Sequence, residues 1–375
     1  MLSGIHMTLM IGPAVPLPVS ADVLNALTSI EVTNTTDGPS VFRLQFTLPK
    51  KSPLEVLFLV AGGASIPLVR VVVAVTLNGS TEVLVDGVMT NHEYTPGSGG
   101  TGPALSIIGE DLTRVMDYID FSGIPYPAMP AEARVLLILA KYAVFGVIPM
   151  VIPSILIDVP IPVQQIPRQQ GKDLAYIQQL AEAVGYVFYL EPGPAPGTSI
   201  AYWGPEIKVG APQPALNYDM DVQTNVESLT FTYNAERKSL PVVLVQDQIS
   251  KVVIPIPVPP ITPLNPPLGL IMPIPKDIEY LEETAKYSPV RAALIGIAKA
   301  SKTADVVSST GSLDVLRYGR ILKARKLVGV RGAGIAFDGL YYVRSVTHNI
   351  KRGAYTQSFT LGRNGLISTL GKVPA

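Results

Sequence analysis

The alternation of hydrophobic and polar positions predicts β-strands in the first third of the chain. The segment from Ser40 to Leu48, SVFRLQFTL, has an apolar residue at every second position, which is typical of a strand with one buried face. Two further runs, VRVVVAVTL and TEVLVDGVMTNHEY, are separated by Asn78-Gly79, a strong two-residue hairpin signal. A glycine-rich loop and the strand ALSIIG follow, and we expect a short amphipathic helix near Asp111 to Ile119. This is the pattern of an antiparallel sheet that protects its edges in a barrel or a sandwich.

The middle third changes to a helical period. The segment GKDLAYIQQLAEAVG, from Gly171 to Gly185, places five apolar side chains on one helical face, with Gly185 positioned as the C-terminal cap. These five are Leu174, Ile177, Leu180, Ala181 and Val184. The hairpin GYVFYLEPGPAPGTSIAYWGPE follows directly, so we expect a compact helix-plus-hairpin module.

The hairpin contains the only tryptophan of the chain, Trp203. Two interpretations are open. In the first, Trp203 packs with Tyr186 and Phe188 against the preceding helix or a neighbouring subunit. In the second, Trp203 lies exposed on one flat face with Tyr202 or Tyr189 and binds carbohydrate.

Two long apolar stretches resemble membrane spans. The first, Arg134 to Asp158, is interrupted by Lys141 and by two prolines, which favours a buried helix that runs into an extended segment. The second, Val252 to Pro275, contains nine prolines and predicts an extended, polyproline-like strap docked on another surface. Beyond it, we expect two short helices that divide at Pro289.

The last third returns to strand patterns and contains an internal echo. The segment that starts at Asp86 and the segment that starts at Asp338 both run from Asp-Gly through a strand with a late histidine to a turn and a second strand. Two similar hairpins so far apart indicate two domains of one type, separated by the helix-hairpin module.

Composition narrows the class of protein. The chain has 375 residues, of which 15% are charged and 47% hydrophobic. So little charge predicts a surface that is extensively buried against partners. The net charge is zero, so there is no global attraction to nucleic acid or anionic membrane. Cysteine is absent, which excludes disulfides and thiolate chemistry. The N-terminus lacks the basic residues of a secretory signal, and we expect cytoplasmic synthesis.

A search for catalytic or cofactor motifs predicts no enzyme. The histidines are His6, His92 and His348, and none has a second ligand at metal-binding spacing. The segment Gly171-Lys172-Asp173 lacks the glycine spacing of a phosphate loop. The carboxylate pairs Glu110-Asp111 and Glu282-Glu283 are sequence neighbours on predicted helices and point in different directions. We therefore predict no catalytic, cofactor-binding or metal-binding residue.

One local charge feature stands out. From Arg317 to Arg331, the sequence RYGRILKARKLVGVR contains six basic residues and no acid. It is either a polyanion-binding stripe or a solvated, partner-facing patch. Because Tyr318 is its only aromatic residue, the second interpretation is favoured over nucleic-acid binding.

Three long segments resemble one known family. They are PRQQGKDLAYIQQLAEAVGYVFYLEPGPAPGTSIAYWGPE, GSLDVLRYGRILKARKLVGVRGAG and DGLYYVRSVTHNIKRGAYTQSFTLGRNGL. In these segments the chain is similar to the late control protein D family of tail hub proteins, which includes baseplate hubs of contractile phage tails and the hub portion of the type VI secretion spike protein.

The resemblance implies an α+β, mainly β fold with two tail-tube-like β-barrel domains that assemble as a ring-shaped homotrimer. Three chains would then present six similar barrels and adapt a threefold spike to a sixfold inner tube. The implied partners are a separate spike protein, tube or tube-initiator proteins and other baseplate proteins, within a virion tail or an injection device. Some hubs of the family continue into a lysozyme or needle domain; we expect no such domain here, and the resemblance implies no lytic activity.

The implied domain boundaries follow the changes in pattern. We expect a first barrel domain over residues 1–120, the α/β helix-hairpin module over 121–208, and a second barrel domain over 209–375 that carries the proline-rich strap and a helical insertion at about 251–310. The carbohydrate-binding module around Trp203 is the alternative function.

Overall fold

The structure is a computed structural model that describes residues 4–13, 15–48, 68–97, 102–155, 166–246, 252–259 and 262–370. The fold is mainly β with a smaller helical content, as the sequence predicts. Parts of the glycine-rich loop, of the apolar stretch that ends at Asp158 and of the proline-rich strap lie outside the described residues.

The first third is almost entirely strand. Its elements are β1 (Ile5–Gly12), β2 (Leu17–Pro18), α1 (Ala21–Ala26), β3 (Leu27–Thr35), β4 (Val41–Thr47), β5 (Arg70–Leu77), β6 (Ser80–Thr95) and β7 (Ala104–Asp111). Strand β4 alternates strictly between exposed and buried residues, as predicted. Asn78 and Gly79 both have positive φ, at 51° and 81°, and join β5 to β6 as a tight hairpin. The expected helix after β7 is a single 3-10 segment, Leu112–Asp117, whose first turn is capped by Asp111.

The middle of the chain forms a small separate sheet with two helices. It contains α2 (Ala131–Ala140), β8 (Val147–Val151), α3 (Asp173–Glu182), β9 (Val187–Pro192) and β10 (Ser199–Gly204). Strand β10 pairs antiparallel with β9 and parallel with β8. Up to Ile155, the apolar stretch is a helix followed by an extended strand, as predicted, but the helix is buried on one face only, with Leu136 and Leu137 about half exposed. Within the described residues, no helix combines the length and the apolar character that a membrane crossing requires.

The last third contains eleven strands and two α-helices in the described residues, some of them in an insertion. The strands are β11 (Gln213–Asn217), β12 (Ser228–Tyr233), β13 (Ser239–Gln246), β14 (Val253–Pro257), β15 (Gly269–Ile271), β16 (Asp277–Leu281), β17 (Val307–Asp314), β18 (Leu327–Arg331), β19 (Gly339–Lys351), β20 (Ala354–Arg363) and β21 (Leu366–Ser368). The helices are α4 (Pro289–Thr303) and α5 (Val315–Tyr318). The echoed segments are the β6–β7 and β19–β20 hairpins, and each has a bulge in its first strand.

One sheet of 13 strands unites the two ends of the chain. Its main path runs β12-β17-β20-β19-β3-β4-β7-β6-β5-β1-β2, with β18 and β11 attached beside β19. The junction is the antiparallel pair β3–β19, in which Ser29 to Thr35 lie opposite Lys351 to Ser345. In the described part of the chain, this path does not return on itself to close a barrel.

The main hydrophobic core lies on this sheet and draws on both ends of the chain. Leu44 and Val73 from the first third and Val343 and Leu361 from the last third are completely buried in the same cluster. A second cluster fills the helix-hairpin module. The burial of aliphatic side chains from distant parts of the sequence in one cluster stabilises the junction of the two halves.

The first part of the proline-rich strap is a β-strand rather than the expected polyproline helix: main-chain pairing holds it in place, and its side chains are exposed rather than covered. Strand β14 pairs antiparallel with β13, which also pairs with β16 in a three-stranded sheet. On one face of this sheet, Val243 and Val258 pack against Ala292 of α4. The first of the two expected short helices is instead strand β16 followed by a 3-10 turn, whereas α4 does begin at Pro289, with Ser288 as its N-cap.

The spacing of the prolines explains why a strand is possible. Val258 donates its N–H to the carbonyl of Pro241 at 2.9 Å. In an antiparallel ladder, the backbone N–H groups that point toward the partner strand recur at every second residue. The backbone nitrogen of Ile256 therefore points toward β13, whereas the backbone nitrogens of Pro255 and Pro257 point away from it. Proline has no N–H to donate, and the outer edge of a sheet is the place where this costs nothing. Strand β14 is therefore a blocked edge.

Candidate functional site

Trp203 is a packing residue of the helix-hairpin module. Its side chain is completely buried, and the ring of Tyr186 meets it edge-on with the centroids 4.9 Å apart. Phe188 and Leu190 belong to the same cluster, which also contains Ile177 of α3. The prediction that this hairpin packs on its helix is confirmed.

The carbohydrate-binding interpretation is wrong, because it needs Trp203 exposed on a flat face. Tyr202 and Tyr189 stack on each other with centroids 4.9 Å apart, and Tyr202 is itself buried. Burial raises the pKa of Tyr202 to about 12. The aromatic residues of the hairpin therefore hold the module together and present no platform to solvent.

The end of α3 contacts the insertion closely. Gly185 has φ +71°, and a Cβ at this position would lie 2.4 Å from the carbonyl oxygen of Leu294 in α4. The glycine therefore serves both as the predicted C-terminal cap and as the point where α4 approaches the module. Arg291 strengthens this contact, since its Nε donates to the carbonyl of Ala183 at 2.7 Å.

A buried ion pair joins the large sheet to the module. The Arg70 guanidinium donates to both carboxylate oxygens of Asp86, at 2.7 and 2.6 Å, and both side chains are buried. The same guanidinium donates to the carbonyls of Phe145 and Gly197, at 2.8 and 2.9 Å. Burial raises the pKa of Asp86, although Arg70 acts in the opposite direction. We call Arg70, Asp86 and these two carbonyls the clasp.

A second buried carboxylate organises the start of α3. Asp173 accepts hydrogen bonds from Tyr142 at 2.6 Å and from Gln169 at 2.7 Å, and Lys141 lies 2.5 Å away. Lys141 also lies over the ring of Phe121, 3.8 Å from its centroid. Asp173 therefore belongs to a structural network at the start of α3.

The histidines do not converge on a site. His348 is buried, its Nδ1 lies 2.8 Å from the hydroxyl of Tyr355, and burial lowers its pKa to about 3. His92 is half-buried on β6, opposite Ile107, and His6 is exposed on β1. Within the described ranges, no group of three or more potential ligands is placed to hold a metal ion.

The carboxylate pairs also have separate surroundings. Asp111 is buried and accepts the N–H of Ser40 at 2.6 Å and the hydroxyl of Thr113, and burial raises its pKa. Glu110, its neighbour, lies opposite Val41 in the sheet. Glu282 and Glu283 are exposed in the 3-10 turn after β16, far along the chain from this pair.

The basic run has two kinds of residue. Lys323 forms an ion pair with Glu82 at 2.5 Å, and Arg325 donates to the carbonyl of Thr35 while its guanidinium lies 4.1 Å from the centroid of the Tyr189 ring. These contacts join the last third to the first third and to the hairpin. In contrast, Arg317, Arg320 and Lys326 are exposed and form no ion pair within the part of the chain that the structure describes.

A groove of about 470 Å3 separates the hairpin from the large sheet. Charges of both signs line it, among them Asp37, Glu182, Lys302 and Arg344, and Arg344 lies 3.5 Å from Asp37. Because acidic and basic side chains both line the groove, its charge favours neither an anionic nor a cationic ligand.

Exposed apolar surface is the remaining candidate for a functional feature of the chain. Two areas carry it: the outer side of α2 with β8, and the insertion formed by β14, β15 and β16. The side chains that are about half exposed or more include Leu137, Ile148 and Met150 in the first area, and Val253, Leu270, Ile278 and Tyr280 in the second. Apolar surface of this extent is typical of a chain that packs against other subunits.

Sequence reasoning missed the clasp and a second buried arginine. Arg363 is completely buried in β20 and donates to the carbonyls of Gly365, Ala336 and Asp338 at 2.6 to 2.8 Å. A signal was present for the arginine: Arg70 is the only charge of the otherwise apolar strand β5, and such a charge is buried only when it is paired.

The fold as a whole is similar to that of phage tail proteins. The tail protein from Neisseria meningitidis MC58 superposes with a TM-score of 0.63 at 14% identity, over 97% of this chain and 98% of that chain. The 43 kDa tail protein of prophage MuSo2 from Shewanella oneidensis superposes with a TM-score of 0.58 at 13% identity, over 96% and 98% of the two chains.

A secretion-system assembly is similar as well. A chain of the Francisella PdpA-VgrG complex superposes with a TM-score of 0.60 at 9% identity, over all of this chain and 55% of that chain. No family model and no curated protein matches the sequence. The chain has the fold of phage tail proteins, and the resemblance seen in the sequence is confirmed at the level of the fold.

Proposed function

We propose that the chain is a structural baseplate hub of a contractile phage tail or contractile injection system, where it adapts a threefold spike to a sixfold inner tube. The observation that carries this proposal is the match in fold over nearly the whole length of two tail proteins. A match over entire chains favours a shared architectural role more than a match confined to one domain does.

The internal organisation supports a ring of three copies. The first and last thirds each contribute an antiparallel set of strands built around an echoed hairpin. We propose that each set acts as one tail-tube-like, barrel-like unit, with the boundaries near residues 120 and 208 that the sequence suggests. Three chains then supply six such units, which is the number a sixfold tube requires.

The proposed partners follow from the same role. A similar fold occurs in a chain of a complex that contains VgrG and in tail proteins, and we propose a separate spike protein, inner-tube or tube-initiator proteins and other baseplate proteins as neighbours. The exposed apolar areas on α2, β8 and the insertion are available to such neighbours. We propose no catalytic, cofactor or metal-dependent step, and the chain acts as part of an assembled particle.

The oligomeric state tests the proposal. We expect purified chain to scatter light with a mass of about 120 kDa, three times its 40.0 kDa. Negative-stain images are expected to show a threefold ring with a central hole. A protein that stays monomeric at all concentrations, and also within the purified particle, would contradict the proposed role.

A further inference from the structure

Strand β16 carries two exposed apolar side chains and is flanked along the chain by exposed acids. The side chains of Ile278 and Tyr280 are each 57% exposed. Asp277 precedes them, and Glu282 and Glu283 follow in the 3-10 turn; all three are exposed and form no ion pair with any residue whose side chain the structure describes. We call these five residues the acidic edge.

The acidic edge is also the open edge of its sheet. Strand β13 lies between β14 and β16, and β14 carries outward prolines that prevent another strand from pairing there. Strand β16 contains no proline, and the described residues place no strand on its outer side. The insertion therefore has one blocked side and one side that is accessible to a partner.

The basic run supplies a surface of the opposite charge on the same chain. Arg317, Arg320 and Lys326 are exposed and lack acidic partners in the described residues, while Lys323 and Arg325 are occupied by contacts within the chain. Leu316, beside Arg317, is 40% exposed and adds an apolar contact. We call Leu316, Arg317, Arg320 and Lys326 the basic edge.

We infer that the acidic edge of one copy contacts the basic edge of the next copy in the ring. The inference rests on the proposed function, since it assigns a contact between copies of the proposed hub. Two acidic edges repel each other, so a twofold contact between identical patches is disfavoured. A head-to-tail contact between different patches builds a ring when the rotation between copies closes and an open filament when it does not, and the proposed three-copy hub requires the first case.

Charge reversal tests the pairing. The variant Glu282→Lys/Glu283→Lys and the variant Arg317→Glu/Arg320→Glu each place like charges across the contact. We expect either variant to raise the dissociation constant of the ring about tenfold or more, as measured by analytical ultracentrifugation at 50 mM salt. The combined four-residue variant restores opposite charges in the reverse sense, and we expect it to regain most of the wild-type affinity.

A matched control separates a specific contact from a general change in charge. Asp22 and Glu93 are exposed acids in the first third of the chain. The variant Asp22→Lys/Glu93→Lys changes the net charge by the same amount as the acidic-edge variant, and we expect its assembly to equal that of the wild type. Circular dichroism of every variant at low concentration verifies that the subunit is folded.

The outcomes distinguish this inference from the proposed function. If the wild type forms a threefold ring and the combined variant fails to recover the loss seen in the single-sided variants, the pairing is overturned and the hub role stands. A ring that tolerates both single-sided variants overturns the pairing equally. If the wild type forms no ring, alone or in the particle, the proposed function itself is contradicted.

Discussion

The Arg70→Leu substitution removes the cation of the clasp and keeps an apolar side chain of moderate size. The Asp86 carboxylate is then buried without its guanidinium, and the carbonyls of Phe145 and Gly197 lose their donor. Because the clasp joins the large sheet to the helix-hairpin module, we expect the module to lose stability first.

The magnitude follows from the burial of the pair. Breaking a buried ion pair by removing one partner costs about 3 to 5 kcal/mol, since the remaining charge is left without compensation. Both side chains here are less than 5% exposed, so solvent screens the interaction little. We therefore expect the free energy of unfolding to fall by about 3 to 5 kcal/mol at pH 7. The double variant Arg70→Leu/Asp86→Leu leaves no buried charge and is expected to be more stable than Arg70→Leu alone.

Urea unfolding followed by tryptophan fluorescence is a suitable assay. Trp203 is the only tryptophan and is buried in the module, so its emission reports the part that the clasp holds. The effect also depends on pH. Burial already raises the pKa of Asp86, and loss of Arg70 raises it further, so protonation relieves the uncompensated charge. The destabilisation by Arg70→Leu should therefore shrink as the pH falls from 7 to 5.

Two results would refute this reasoning. One is a loss of less than about 1 kcal/mol for Arg70→Leu, which would place the clasp among ion pairs that are screened by solvent. The other is a double variant whose loss of stability relative to the wild type equals the sum of the losses of the two single variants, which would show that Arg70 and Asp86 do not interact.

Three further predictions concern other parts of the chain. Trp203→Ala is expected to lower the free energy of unfolding by about 3 to 5 kcal/mol, and Trp203→Phe by less, in thermal unfolding followed by circular dichroism; equal losses would contradict the packing argument. The pKa of His348 is about 3 in the folded protein and near 6.5 when unfolded, so the unfolded state binds more protons between these values and stability falls as the pH drops through this window. His348→Gln should flatten the dependence of the urea midpoint on pH. An unchanged dependence would show that His348 does not cause the loss of stability at low pH. A protease that cuts after Leu264, Leu268 or Leu270 should cleave the strap slowly because Leu268 is buried and β15 pairs with β21; rapid cleavage with the remainder intact would show a loose linker.

Local patterns predicted local structure well. Three predicted features depend only on residues that are close together in the sequence, and the structure has each of them. They are the alternation in β4, the Asn78-Gly79 turn and the helix before Gly185. The packing of Trp203 followed from the helix face that precedes it. These features are encoded over short distances, where side-chain period and backbone preference act directly.

Contacts between distant residues were not predictable in the same way. The pairing of β3 with β19 joins residues more than 300 positions apart, and no local pattern specifies which edge strands meet. For the strap, the sequence-based prediction of the backbone conformation was wrong. Its prolines suggested a polyproline helix, but their spacing of two fits an edge strand, and the choice depends on β13 being available as a partner. The clasp, likewise, depends on carbonyls from a separate module.

The seam between β3 and β19 has a mechanical consequence. Seven consecutive residue pairs, Ser29–Lys351 to Thr35–Ser345, join the two halves of the sheet. A pull along the strand direction loads all the hydrogen bonds of this seam at once, whereas a pull across the strands opens them one after another from an end. The seam is therefore expected to resist sliding of the two halves along the strands more strongly than peeling from one end.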